Sequence, residues 1–234
     1  MKWLKAELHS HASEDKRHTL SYSVKELIDA AHKYKYDVLG ITFHDKVFEG
    51  PSYERAYKYA KRRGMLLMAG CEATIEGKHT LIYGISDKER KSIKNFRGLR
   101  KLKIQKQKNG YEILIIAPHP YFKTGGVMGK YCLGRKLNKN IDIFDAIEYS
   151  FFFLKRLNRN KKAVKMANRY FKPMVGNGDI HHLESLNRTY SRIHANKNHV
   201  DIMKAIKNNQ VKVVKKPLNM KFVMKLAYFH SFKS

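Results

Sequence analysis

The chain has few cysteines, few acidic residues and no long apolar run. Cys71 and Cys132 are its only cysteines. They fit a compartment that keeps thiols reduced, and they lack the CxxC spacing of a zinc knuckle. No stretch approaches eighteen uncharged apolar residues, so neither a transmembrane helix nor a membrane partner is expected. The opening "MKWLKAELHS" is interrupted by Lys5 and Glu7 and has no small-residue cleavage site, which argues against a secretory signal. The expected location is the cytoplasm. Repeats, low-complexity linkers and breaks in composition are also absent, and 234 residues suffice for one sizeable core. A single domain follows.

Twenty acids face 48 lysines and arginines, giving a formal charge of +28. That excess exceeds what solubility requires and attracts anions, so nucleic acid or phosphorylated compounds are the expected partners. Thirty-five of the 48 are lysines, and a coding bias or thermophilic habit gives the same excess with no partner at all. Residues 88–108 hold ten of these cations against one acid, with Ile93, Phe96, Leu99, Leu102 and Ile104 at roughly helical intervals. They read as a basic amphipathic helix or helix pair, whose plainest role is an outer layer with a solvated face.

Short apolar runs alternate with amphipathic segments, the pattern of strand and helix units around a parallel sheet. Strands are expected near residues 3–8, 37–42, 66–71, 80–84, 112–117, 144–149, 173–176 and 189–193. Helices are expected over 23–35, where Ser23 caps and Glu26 follows three residues on, and over 51–63, 155–170 and 200–208.

The side chains at the strand ends carry the chemistry. His9 and His11 follow the first apolar run, and residues two apart on an extended chain point to one side, where they can share a metal. His44, Glu72, His119, Asp179 and His181 each follow a later run. The C-terminal strand ends of a closed parallel barrel converge on one rim, where barrel enzymes build their sites. Imidazole and carboxylate donors suit zinc, manganese and iron, and a set without cysteine points to a catalytic site.

The ordered pieces "ELHSHASED", "ITFHDK", "GCEATIEGKH", "APHPYF" and "GNGDIHHLE" resemble the motifs of the PHP (polymerase and histidinol phosphatase) domain. This metal-dependent phosphoesterase family is related to the amidohydrolase barrels. The resemblance runs from Leu8 to about Leu183. It implies an α/β fold, a distorted (β/α)7 TIM-like barrel in a single domain. Residues 1–215 would form the barrel, with 216–234 a basic C-terminal extension packed on it. It also implies two or three divalent metal ions, zinc, manganese or iron. His9, His11 and Asp179 would hold the first, with Glu72 bridging to a second completed by His119 and His79. His44, His181 and Asp15 would hold the third. Two departures stand out: Phe43 replaces the acid of the usual "TDH", with Asp45 on the far side of His44, and "SEDKRH" leaves Asp15, Glu14 and His18 competing for one position.

The activity implied is hydrolysis of a phosphorylated small molecule, a nucleotide or a nucleic-acid end by metal-activated hydroxide, with His181 or His44 donating a proton to the leaving group. Lys46, Arg159 and Arg188 are candidates to clamp phosphate. Tyr149 is a candidate pocket wall, with Glu148 a carboxylate behind the ligands. Two rivals are a non-catalytic basic barrel binding RNA or DNA, similar to ribonuclease P protein subunits, and an amidohydrolase-like enzyme cleaving C–N bonds. Oligomeric state is not legible.

Overall fold

A computed structural model describes residues 1–17, 19–122, 127–220 and 222–224. The first strand, β1 (Lys2–Glu7), leads to α1 (Val24–Lys33). Ser23 and Glu26 form the expected capping box, and Val24, Leu27, Ile28 and Ala31 form the buried stripe. The chain continues through β2 (Val38–His44), α2 (Pro51–Arg62), β3 (Leu66–Ile75) and β4 (Lys78–Tyr83). The basic segment is a pair, α3 (Asp87–Ser92) and α4 (Phe96–Lys108), capped by Ser86 and Asn95. Its apolar residues Ile93, Phe96 and Leu99 are buried, while Arg100, Lys103 and Lys106 pair with Asp142, Asp145 and Glu89.

Next come β5 (Leu114–Ala117), α5 (Val127–Tyr131), α6 (Arg135–Lys139), β6 (Ala146–Ser150), α7 (Asn160–Arg169), β7 (Met174–Asn177), β8 (Thr189–Ala195), α8 (His199–Lys207) and β9 (Val211–Lys215). The helix expected from residue 155 begins at Asn160. Asn160 is buried and uses its amide to hold both the backbone N–H and the carbonyl of Ser150, so the chain before it stays a loop.

Among the described residues nine strands form one sheet in the order β7-β6-β5-β4-β3-β2-β1-β8-β9. The sheet curls until its ends meet. Ser10, beyond β1, bridges Ile180, beyond β7, and Ser191 of β8 exchanges hydrogen bonds with the backbone of Gly176. The result is the expected TIM-like barrel, nearly closed.

The expectation of a purely parallel sheet is corrected. β4 runs antiparallel to both β3 and β5, because the two residues Glu76 and Gly77, both at positive φ, turn the chain straight back. β8 and β9 are antiparallel as well. β9 was not expected; its "VKVVK" is half exposed at the end of the sheet order.

Tyr83 fills the barrel against β2 and β3. A Cβ at Gly70 would come within 2.9 Å of its ring, so only glycine fits there, and its hydroxyl donates to the Leu8 carbonyl. Around it Leu4, Ala6, Leu8, Val38, Met68, Leu81, Leu114, Ile116, Ala146 and Val175 form one buried cluster with the apolar face of α8. Leu218 and Phe222 pack on Phe151. Residues 225–234, the end of the basic extension, lie outside the described residues, as does His18. Among the described residues no helix is long and apolar enough to cross a membrane.

Candidate metal centre

Past its last paired residue, β1 stays extended beside β2. The Ser10 N–H donates to Thr42 Oγ1 and the Thr42 N–H to the Ser10 carbonyl. This places His9 and His11 over the mouth of the barrel with ring centroids 5.3 Å apart. β2 ends on His44 and β3 carries Glu72. Because β4 runs the other way, His79 reaches the same rim from the beginning of its strand. His119 and Asp179 follow β5 and β7, each in the left-handed region, at φ 26° and 43°. Such backbone costs on the order of 1–3 kcal/mol in a non-glycine residue and is retained where surrounding packing fixes it.

Glu72 is at the middle of the cluster and only 1% exposed. Its carboxylate oxygens lie 3.3 Å from His9 Nε2, 3.4 Å from His11 Nε2, 3.0 Å from His44 Nε2, 2.7 Å from His79 Nδ1 and 3.0 Å from His119 Nε2. Asp179 Oδ1 lies 3.3 Å from His9 Nε2 and 3.2 Å from His181 Nδ1. Four trios of donor atoms result, with the atoms of each within 4.8 Å of one another: His9, His11 and Asp179; His9, Glu72 and His119; His44, Glu72 and His79; and His11, His44 and His181.

A second layer of carboxylates orients these rings. His9 donates from Nδ1 to Glu148 at 2.9 Å, and Glu148 also accepts from the backbone N–H of His119 and from Asn177 Nδ2. Asp15 Oδ2 accepts from Nδ1 of His11 at 2.9 Å, from Nδ1 of His44 at 2.7 Å and from the His44 backbone N–H. With Nδ1 of His9, His11 and His44 held outward by these carboxylates, Nε2 of each ring is turned inward toward Glu72. Nε2 of His9 and His11 and Oδ1 of Asp179 are buried with no hydrogen-bond partner. Unpartnered donors of these types, converging in one buried place, fit divalent metal ions.

The resemblance grouped Asp15 with His44 and His181. Here Asp15 instead grips the outer nitrogens of two histidines, and His11 takes the third place in that trio. Glu14 accepts from the Val24 N–H at the start of α1. Asp45 accepts from the Thr74 N–H, Arg17 and Arg90. Lys46 is exposed. Tyr149 packs against Phe153 and its hydroxyl accepts from Asn158. Arg188 lies over the Phe222 ring. Arg159 lines a small cavity with His119.

Several residues at the site were not found from the sequence. Glu7 accepts from the backbone N–H groups of His9 and Gly178, and burial pushes its carboxyl well up. Cys132 Sγ lies 3.7 Å from His119 Nδ1. Tyr131 stacks on His79 at 4.5 Å, and the Arg17 guanidinium lies over the same Tyr131 ring. A charged residue inside the apolar run "WLKAEL" was the available signal for Glu7; the others are separated too far in sequence to signal one another.

Burial opposes the charge on Glu72, yet the imidazoles of His79, His9 and His44 hold its carboxyl well below the usual range. The His44 imidazole, also against its burial, is pushed up to about 9 by the Glu72 charge and by its hydrogen bonds to Asp15 and Glu72. Its proton is therefore bound in the metal-free protein at neutral pH, whereas a ligand imidazole must be neutral. The raised value also means that this proton's contribution to metal-free stability is full below about pH 6.5 and is lost as pH rises through about 9. Metal uptake should release protons at pH 7 and tighten as pH rises toward 9. Titration calorimetry in two buffers of different ionisation enthalpy measures this, and identical heats in both would refute it.

Known proteins provide an independent comparison. The PHP-associated family (PHP_C) matches residues 158–211. No curated protein matches. Among solved structures, PsfC from Pseudomonas syringae superposes with a TM-score of 0.64 at 15% identity, covering 99% of each chain. The lesion-specific endonuclease PfuEndoQ from Pyrococcus furiosus gives 0.58 at 16% identity, over 96% of this chain and 66% of that one. An endonuclease Q structure holds a 27-mer duplex substrate with an abasic lesion at the active site. A protein from Bifidobacterium adolescentis assigned as a metal-dependent phosphoesterase gives 0.51 at 12% identity, over 76% and 87% of the two chains. At these identities the structures establish a shared barrel fold. The PHP-associated match, over residues 158–211, adds a family signal for that segment to the shared fold.

Proposed function

We propose that the chain is a metal-dependent phosphoesterase whose substrate is a phosphorylated small molecule, a nucleotide or a nucleic-acid end. The observation that carries this reading is the convergence of unpartnered, buried His9 Nε2, His11 Nε2 and Asp179 Oδ1 around the carboxylate of Glu72. His9, His11, His44, Glu72, His79, His119, Asp179 and His181 are the residues that would hold two or three zinc, manganese or iron ions. When bound, such ions supply Lewis acidity that activates water near neutral pH and offsets charge building on phosphoryl oxygens.

The protein's own part is orientation and proton handling. Asp15 and Glu148 fix the rings of His9, His11 and His44 so that each presents one nitrogen inward. His44 and His181 both reach the rim, and whichever of them a bound ion leaves uncoordinated would donate a proton to the leaving group; the His181 side chain is the more exposed, at 21% against 3%. Arg17, held by Asp45 and Thr74, presents a cation at the same rim and suits a phosphoryl oxygen.

The non-catalytic reading leaves this packing of donors without a purpose. Metal analysis of purified protein, joined to a screen of phosphomonoesters and phosphodiesters with added manganese or zinc, tests the proposal. We expect bound metal and turnover that a chelator abolishes. Protein with neither sinks it.

A further inference from the structure

A cleft of about 400 Å³ opens beside the donor cluster, between the start of β4 and the helices α6 and α7. Its charged side chains are Lys78, Arg135, Lys136, Arg159 and Lys162, and none of the described residues lining it is acidic. Lys136 pairs with Glu76 at 2.9 Å, and Lys78 donates to the Lys130 carbonyl. Arg135, Arg159 and Lys162 have no carboxylate partner among the described residues. Elsewhere the scarce acids do neutralise cations, as in Arg63 with Asp29, Lys103 with Asp145 and Lys207 with Glu112.

Unpaired cations on a convex face are simply solvated. Ringing a concavity, they repel one another and focus a positive potential into it, which an anion relieves.

The cleft's position ties it to the chemistry. Lys78 immediately precedes His79, and Pro120 and Tyr121 of the wall immediately follow His119. Cys132, also in the wall, is 3.7 Å from His119 Nδ1. Arg159 lines both this cleft and the small cavity on which His119 borders. The space exceeds what one inorganic phosphate fills, and Tyr121 supplies an aromatic wall.

We propose that this cleft is a subsite for a second phosphate group of the substrate, together with the unit that carries it, held next to the bond that is cut. The inference rests on the phosphoesterase reading and narrows it to substrates with at least two phosphates, such as an oligonucleotide end.

The test uses metal-loaded protein and the double variant Arg135→Gln, Lys162→Gln. Inorganic pyrophosphate is the binding probe. Both proteins share every metal ligand, so the difference between them reports the cleft. We expect pyrophosphate to bind at least about ten-fold more weakly to the double variant, and the charge-conserving Arg135→Lys, Lys162→Arg protein to bind it nearly as wild type does. The ratio of kcat/KM for 5′-phosphorylated dithymidylate to that for p-nitrophenyl phosphate should fall by at least about ten-fold in the double variant.

Unchanged pyrophosphate binding, or equal losses on both substrates, overturns the proposal. So does pyrophosphate that binds through these residues without competing with dithymidylate, since the site then serves a free anion. Pyrophosphate binding that depends on Arg135 and Lys162 in a protein that turns over no phosphoester refutes the hydrolytic reading and leaves an anion site standing.

Discussion

Glu72→Gln should strip the protein of metal and activity together. One carboxylate lies within 3.4 Å of a nitrogen on each of five imidazoles, His9, His11, His44, His79 and His119. Glutamine keeps the shape but removes the charge and turns one acceptor into a donor that faces those rings. Loss of residues that only orient ligands costs roughly 10–100-fold in metal affinity or activity, so loss of a shared ligand should exceed about 100-fold in both. Metal content after dialysis and manganese-supported turnover of an aryl phosphate measure the effect. Circular dichroism should be unchanged, because Glu72 lies at the rim and the apolar barrel cluster does not include it. A variant that retains its metal and turns over normally would show that Glu72 is not the bridging group.

Asp15→Asn is the second large effect. Its Oδ2 accepts from two imidazoles and a backbone N–H at once. Asparagine keeps one oxygen but weakens the pull on both rings, freeing His11 and His44 to take the other tautomer. Activity should fall about 10–100-fold while the metal content at saturating metal stays closer to wild type than in Glu72→Gln. The dependence of rate on added metal separates the two cases: Asp15→Asn should be partly rescued by excess metal, and Glu72→Gln should not. Failure of excess metal to raise the rate of Asp15→Asn would make Asp15 a ligand, as the sequence resemblance implied.

Much of this site was legible because ligand types followed apolar runs. His9 and His11 share one face of an extended segment, Glu72 lies in the later part of a strand that the sequence marks clearly, and His119 and Asp179 come after two others. The direction of β4 was not legible, since an apolar run carries no sign of which way it is traversed; only the Glu76-Gly77 turn reveals it. β9 was missed because "VKVVK" is too rich in lysine to read as sheet, and an edge position is what permits those lysines. The role of Asp15 could not be read from spacing. Four residues of separation place it near His11 but do not say which ring nitrogen it faces. The cationic cleft was invisible for a different reason: Lys78, Arg135 and Lys162 come from three elements, and a chain with 48 cations gives no cue as to which of them meet.

The place where the sheet closes has a consequence for how the protein fails. Between the ends of β1 and β7 the backbone contributes one isolated bridge, Ser10 with Ile180, and its flanking hydrogen bonds. His9 and His11 lie on one lip of that seam and Asp179 and His181 on the other. An ion held between them would be a clasp as well as a cofactor, fastening two segments 170 residues apart. Glu72, on β3, belongs to neither lip, although its carboxylate reaches His9 and His11 on one of them. Loss of Glu72 leaves the donors of both lips in place, whereas loss of Asp179 removes one from the seam itself.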